Sequence, residues 1–504
     1  MTAGAAAASV ERALKWSALT TVARFALQLA AQVALARMLG PGNFGVYGIG
    51  MAVLTFVAFL SGGSFSSNLM LMPAVARDDI RFAFTWQMIA GILSSAAMYM
   101  AAPAIAGFFG DARVQGMVQW LALACLLVAA SAPATCLLQR DLNFRVLGLI
   151  HLASYAAGYL AVGVPMALSG FGAYSLAAAC VVQAAVTLVA AYVAKPHSLR
   201  PLFSHPGGAA ALITGRAVFL TNVVNWMLGN LDRVVIGRVL STHAVGLYAV
   251  AYNLASIPST LLLGALQPTF LAAGARLQQT PQRLAQGWLL ALACALVLVT
   301  PAAVVLALLS ADLVALLYGA AWMESAWVLA LLFLCLPAWA CWGLSTPVLW
   351  NTGRKHQESM LQLPVLALAF PAWWLFAPEG IRAVAMVSAI VVFARAGIII
   401  AAALNALKLP WSAVLPYAVR GLGLAAVCAA AAFAGQHAVA GFTVPGVSLF
   451  AGSACALAAM LLLVGIRPQV LGRETQGALT RLFPAFAPRW LQPAVPAEPG
   501  RQSR

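Results

Sequence analysis

Arg37-Met-Leu-Gly-Pro-Gly-Asn-Phe-Gly45-Val-Tyr47 recurs farther along the chain as Arg238-Val-Leu-Ser-Thr-His-Ala-Val-Gly246-Leu-Tyr248, aligned without a gap at an offset of 201 residues. Each copy closes a long apolar stretch that carries a polar stripe. In the first stretch, from roughly Arg12 to Leu39, Ser17, Thr20, Thr21, Arg24, Gln28 and Gln32 share one face at helical spacing. In the second, from roughly Ile213 to Leu240, Asn222, Asn225, Gly229, Asn230, Asp232 and Arg233 fall in one arc. Val223, Val224, Met227, Leu228, Leu231, Val234 and Val235 fill the opposite arc. The same offset sets Thr21 on Asn222, Arg24 on Asn225, Gln28 on Gly229 and Gln32 on Arg233, so motif and stripe repeat together. Farther on, Gly172-Ala-Tyr-Ser-Leu-Ala177 matches Gly380-Ile-Arg-Ala-Val-Ala385 at an offset of 208, which extends the repeat with a modest insertion.

Composition fixes the solvent. The chain has 504 residues, of which 63% are hydrophobic and 8% charged, too few polar residues to clothe a water-facing globule. Stretches long enough to cross a hydrocarbon core of about 30 Å recur about fourteen times. They begin near Arg12, Gly45, Phe82, Met117, Phe144, Gly172, Ile213, Val245, Leu284, Ser325, Gln357, Ile381, Ser412 and Val444. The expected fold is an all-α integral membrane protein of about fourteen transmembrane helices. A long polar face on such a helix is not tolerated by lipid and points to a hydrated cavity. Each repeat holds six spans. Six is even, so both repeats enter the membrane from the same side and are related by an axis along its normal, as in transporters built from parallel repeats. The expected division is an N-terminal segment 1–11, a six-helix N-lobe 12–195, a linker 196–212 and a six-helix C-lobe 213–405. Two additional helices at 406–466, without a counterpart in the repeat, and a basic tail 467–504 follow.

Positive charge in short loops marks the cytoplasmic side. With the N-terminus inside, cytoplasmic segments carry Arg12 and Lys15, Arg77 and Arg81, Arg140 and Arg145, Lys195, Arg200 and Arg216, Arg276 and Arg283, Arg354 and Lys355, and Lys408. The tail adds Arg467, Arg473, Arg481, Arg489, Arg501 and Arg504, whereas the opposite segments Gly40 to Phe44, Leu168 to Phe171 and Gly435 to Thr443 carry no charge. Both termini, and the linker and tail, are therefore expected in the cytoplasm. Most of the formal net charge of +16 is this topology signal, with attraction to anionic membrane lipids as a by-product. Nucleic-acid binding would need a soluble basic module, and the sequence has none. The eight cysteines sit singly in apolar stretches without ligand spacing, so neither a metal nor another cofactor is expected. The first apolar stretch is of full spanning length and reads as an uncleaved anchor rather than a signal peptide.

The stretch Ala36-Arg-Met-Leu-Gly-Pro-Gly-Asn-Phe-Gly-Val-Tyr47 follows the first span. Asn230-Leu-Asp-Arg-Val-Val-Ile-Gly-Arg-Val-Leu240, then Gly246-Leu-Tyr-Ala-Val-Ala-Tyr-Asn253, follow the seventh. In these the chain resembles the polysaccharide-transport branch, the Wzx-type flippases, of the multidrug/oligosaccharidyl-lipid/polysaccharide exporter superfamily. The resemblance covers about Leu14 to Ala403. It implies two six-helix lobes around a central cavity and alternating access in the bacterial cytoplasmic (inner) membrane. The implied cargo is an undecaprenyl-diphosphate-linked oligosaccharide, destined for exopolysaccharide, capsule or O-antigen, with a polysaccharide polymerase and other assembly proteins as partners.

Such a cargo needs cationic donors for its phosphates and amide or hydroxyl partners for its sugars, while its prenyl chain stays in lipid. Arg24 suits the diphosphate as a planar fork donor, and Gln28, Gln32, Asn222, Asn225 and Asn230 suit the glycan. The alternative for Arg24 is a structural pair with a neighbouring helix. Two readings also stand for Asp232 and Arg233: contact with cargo, with Asp232 as the group that couples transport to an ion, or neutralisation of each other or of a partner helix. Arg395 and Tyr252 are weaker substrate candidates, explained equally by packing against a carbonyl or within a helix bundle, as are Ser256 and Ser259. Arg37 and Arg238, at helix ends, read as snorkelling caps. Gly62-Gly63 and Pro258 are expected to interrupt the second and eighth spans.

Enzymatic readings lack residues. The longest outer loop, about Ser310 to Glu324, offers only Asp312 and Glu324 for acid/base work, and no GxxxxGK[ST] is present. The rival from the same superfamily, a cation-coupled exporter of drugs or other small molecules, would favour acids along the polar faces, where Asp232 is the one clear mid-span acid.

Overall fold

The computed structural model describes the backbone of residues 3–60, 66, 69, 72, 75–205, 208–277, 280–441, 445–472 and 474–477. Within these, side chains are described at 16, 20 and from 22 onward, except at 59–60, 208–222, 265, 268–269, 272, 276, 355–356 and 445. The helices are α1 (Ala3–Leu60), α2 (Arg77–Phe109), α3 (Arg113–Arg140), α4 (Phe144–Leu168), α5 (Tyr174–Ala194), α6 (Gly208–Val239), α7 (Thr242–Arg276) and α8 (Pro281–Leu308). There follow α9 (Ser310–Leu317), α10 (Glu324–Leu334), α11 (Leu336–Asn351), α12 (Lys355–Phe376), α13 (Ile381–Leu407), α14 (Leu415–Ala438) and α15 (Pro445–Ile466). No strand occurs among the described residues.

Eleven helices among the described residues are long and apolar enough to cross a membrane, and the pair α10 and α11, bent by 41°, makes a twelfth. The chain is thus a multi-pass membrane protein, and the difference from the fourteen expected spans has local causes. The spans expected at Arg12 and Gly45 run together as α1, and the start of α6 lies among residues whose side chains are not described. Gly40 to Phe44 is accordingly a joint and not a loop. Gly40 takes φ 71° and ψ 170°, a conformation favouring glycine, and Pro41 then starts the next helical segment with its preset φ. Pro258 does not end α7, which runs on to Arg276, and Gly62-Gly63 lies outside the described residues. The expected outer loop at Ser310 to Glu324 is largely helical, with α9 and a 3₁₀ turn at Ala320–Trp322.

The chain forms two compact units, Met1–Ala249 with Phe370–Val384, and Val250–Ala369 with Ala385–Arg504. In the first, the repeated motifs meet each other. A Cβ added at Gly45 would overlap the Thr242 carbonyl oxygen and lie 2.9 Å from the Gly246 nitrogen. One added at Gly246 would overlap the Pro41 carbonyl oxygen and lie 3.0 Å from the Gly45 nitrogen. Pro41 and Thr242, like Gly45 and Gly246, are equivalent at the offset of 201, so the contact is reciprocal, as at a local twofold axis. A polar clasp stands beside it. The Arg113 guanidinium donates from Nε and Nη2 to Asp111 (3.1 and 2.7 Å) and from Nη1 to Asn43 Oδ1 (3.3 Å), and Thr242 Oγ1 donates to Asp111 (3.0 Å). The Arg113 fork holds the Asp111 carboxyl below its ordinary range, with Thr242 adding to the effect and partial burial opposing it. The linker is tied down as well: Arg81 donates to the carbonyls of Arg200 and Pro201, and Leu202 N–H donates to Thr85 Oγ1.

In the second unit, Trp288 is fully buried among Leu284, Leu292, Cys341, Val348 and Leu404, and its indole donates to Ser345 Oγ (3.3 Å). Asp312 on α9 accepts from Gln436 on α14 and Ser448 on α15, each at 2.8 Å, so it ties these three helices together. Close approach of α14 to α8 is permitted by Gly421, where a Cβ would overlap the Leu296 carbonyl oxygen.

Gly246→Ala should destabilise the purified protein by more than about 2 kcal/mol, because an overlap with backbone relaxes only by moving a helix. Gly48→Ala, whose Cβ would meet Val245 and Ala249 side chains at 3.5 and 3.6 Å, should be near neutral. Thermal unfolding in detergent checks both, and equal melting of the two variants would contradict the reciprocal contact. A depressed carboxyl contributes stability above its unfolded pKa and loses it as pH falls through the lower folded value. The melting deficit of Asp111→Asn should therefore hold steady at pH 5–8 and close only below about pH 4.

Candidate functional site

The site is built outward from α1. Thr20 is buried where α4 comes close, since a Cβ at Gly148 would overlap its side chain, and its hydroxyl donates to the Trp16 carbonyl (2.7 Å). One turn on, Arg24 Nη1 donates to His151 Nδ1 of α4 (3.3 Å), and the guanidinium lies 5.8 Å from the Phe25 ring centre. Thr20 against Gly148 and Arg24 against His151 show that the two helices run parallel. That register carries Gln28 to about the level of Tyr155, and Gln32 to about the level of Tyr159. Tyr155 and Tyr159 stack at 4.4 Å between ring centres, and Tyr159 shares a 2.7 Å hydroxyl hydrogen bond with Tyr47. Tyr159 lies in a π-helical turn, Ala156–Gly163, that Tyr155 directly precedes, and such turns gather at functional positions. Arg24, Gln28 and Gln32 are half-buried. Arg24 Nε and Gln32 Nε2 are buried donors with no hydrogen-bond partner among the described residues.

His151, Tyr155 and Tyr159 were not among the sequence-derived candidates. The available signal was their spacing of four residues along an apolar span, the same spacing as Arg24, Gln28 and Gln32.

On α6, Asn225 and Arg233 are half-buried, and Asn230 Nδ2 donates to the Trp226 carbonyl of its own helix (3.0 Å). The side chains of Asn222, Ser17 and Thr21 lie outside those described. Trp226 packs on Phe56 at 4.7 Å and donates to Thr55 Oγ1 (3.1 Å), which sets α6 against the second half of α1. Asp232 is buried; Oδ1 accepts from the Arg233 backbone N–H (2.8 Å) and Oδ2 from the Tyr248 hydroxyl (2.6 Å). Tyr248 is the tyrosine of the repeated motif. Its equivalent Tyr47 bonds to Tyr159 instead, so the two motif tyrosines each anchor a buried polar group.

Arg395 and Tyr252 belong to the second unit. Arg395 is buried, donates from Nε to Gln362 Oε1 (2.9 Å) and lies 4.6 Å from the Trp342 ring centre. Packing against a carbonyl alone does not describe it. Gln362 donates to the Glu358 carbonyl (3.2 Å), and the Glu358 carboxylate accepts from the Trp350 indole (2.8 Å). Tyr252 sits edge-on to Trp339 at 5.9 Å, and both it and Glu358 lie within electrostatic reach of Arg395. Glu358, buried like Asp232, is a second acid that the sequence reading left out because it stands at the start of its helix.

An all-helical multi-pass protein, with repeated motifs in reciprocal contact and buried polar donors along its helices, has the architecture of a membrane transporter. The chain belongs to the polysaccharide biosynthesis protein family, whose pattern matches residues 34–327. It is 26% identical over 390 residues to the succinoglycan biosynthesis transport protein ExoT of Rhizobium meliloti, covering 77% of this chain and 75% of that one. It is 24% identical to the lipopolysaccharide biosynthesis protein WzxC of Escherichia coli, covering 63% and 65%. Among solved structures, the fold is shared with the lipid II flippase MurJ in an inward closed conformation. The TM-score is 0.70 at 14% identity, covering 89% of this chain and 98% of that one.

Tyr248→Phe removes a donor from a buried carboxylate and should lower stability by about 1–3 kcal/mol. An unchanged melting temperature in detergent would mean that the hydroxyl is not what holds Asp232.

Proposed function

We propose that this chain is a flippase that carries an undecaprenyl-diphosphate-linked oligosaccharide repeat unit across the bacterial cytoplasmic membrane by alternating access. The product serves exopolysaccharide, capsule or O-antigen synthesis. Membership of the polysaccharide biosynthesis family and the transport and biosynthesis names of the relatives support this reading. The chain acts as a transporter and not as an enzyme. The observation that carries the cargo assignment is Arg24, a planar cation on a membrane helix whose Nε is buried and has no hydrogen-bond partner among the described residues. Gln28, Gln32, Asn222, Asn225 and Asn230 supply amides for the sugars, and Arg233, Arg395 and Tyr252 rank behind them. Asp232, accepting from Tyr248, is proposed as the coupling acid. Both termini face the cytoplasm on the distribution of Lys and Arg in the short segments. A polymerase and other assembly proteins would receive the flipped unit.

Purified protein in vesicles should expose a labelled lipid-linked glycan to an external probe faster than protein-free vesicles do. Arg24→Ala should lower that rate at least about tenfold, and Arg24→Lys should restore only part of it, because a point charge replaces a fork. Rapid export of cationic dyes without glycan transfer would replace this reading with the multidrug one.

A further inference from the structure

We infer that His151 is a positioning residue which fixes the Arg24 guanidinium so that its Nε–Nη2 edge presents a fork to a phosphate of the cargo. This deepens the flippase reading and rests on it. An arginine always donates, so the 3.3 Å contact requires His151 Nδ1 to be the acceptor, which leaves the imidazole unprotonated at that atom. Binding through Nη1 takes up one corner of the guanidinium and leaves the opposite edge, where Nε and Nη2 point the same way. That edge matches two oxygens of a phosphate. Nε is buried and has no partner among the described residues. Two turns along the same face, Gln32 Nε2 is also buried without a partner among those residues.

Buried donors left unsatisfied are rare and costly, and two on one stripe mark where a ligand's acceptors fit. Eight residues of helix separate them by about 12 Å. That is more than a diphosphate alone spans, so Gln32 meets the sugar next to it. Arg24 side-chain torsions would otherwise be frozen when cargo arrives. The hydrogen bond from a parallel, packed helix freezes them beforehand, which shows as tighter binding rather than faster turnover.

The test compares His151→Asn and His151→Leu, which have nearly the same shape; the asparagine Oδ1 stands where Nδ1 was and still accepts. Two readouts are taken on the full chain. One is binding of undecaprenyl diphosphate in detergent micelles, and the other is the rate of glycan flipping in vesicles against glycan concentration. His151→Leu should weaken diphosphate binding and raise the half-saturating glycan concentration about tenfold, with the maximal rate within about twofold of wild type. His151→Asn should stay within about threefold on both. In an Arg24→Ala background, His151→Leu should have no further effect, since there is nothing left to orient. Independent, multiplying losses in the double variant, or an asparagine variant as impaired as the leucine one, would overturn the inference and make His151 a packing residue. Histidine-dependent diphosphate binding without any glycan transfer by wild type would instead remove the flippase reading and leave the positioning role intact.

Discussion

Backbone meets backbone where Gly45 and Gly246 face each other, and no other residue type permits that approach. The two glycines come from equivalent places in the two repeats, and so do the carbonyls that a side chain would strike, Pro41 and Thr242. A reciprocal contact of this kind relates the two short backbone stretches that make it by a local twofold. The second half of α1 and the start of α7 are attached directly. The Asp111–Arg113 clasp reinforces the same place from the loop between α2 and α3 by holding Asn43 and Thr242 together.

The polar chemistry follows from that joint. Tyr47 and Tyr248 each stand two residues beyond the glycine contact, so each projects from a fixed backbone. One holds Tyr159 and the other holds Asp232. Away from water, a carboxylate needs donors, and the motif tyrosine is one of those that Asp232 has. Arg24 solves the converse problem with a neutral acceptor from α4, and among the described residues no carboxylate is paired with it. A guanidinium held by an imidazole keeps its attraction for an anion, whereas one held by a carboxylate would have spent it. In the second unit Arg395 is held by an amide and an aromatic face.

Much of this was legible in the residues. Hydropathy and composition gave the membrane and the helical class, because lipid admits few other backbones. The offset of 201 gave the repeat, and the stripe on α1 gave Arg24, Gln28 and Gln32. Less legible was anything that depends on which helix lies beside which. His151, Tyr155, Tyr159 and Glu358 look, in sequence, like isolated polar residues in apolar helices. Gly40 to Phe44 looks like a loop because glycine, proline and asparagine ordinarily make one; only the left-handed Gly40 followed directly by Pro41 turns it into a joint between two helical segments.

The sequence by itself determined the solvent, the helical class, the internal repeat and the polar faces, since these follow from properties summed along one chain: transfer into lipid, a period of 3.6 residues, and self-similarity. Tertiary structure alone decided the partners. Hydrogen bonds act over about 3 Å, and 127 residues separate Arg24 from His151, so no local pattern encodes the contact. The same holds for the glycines: each repeat requires one at that position, and only the meeting of the two helices shows what the missing side chain makes room for.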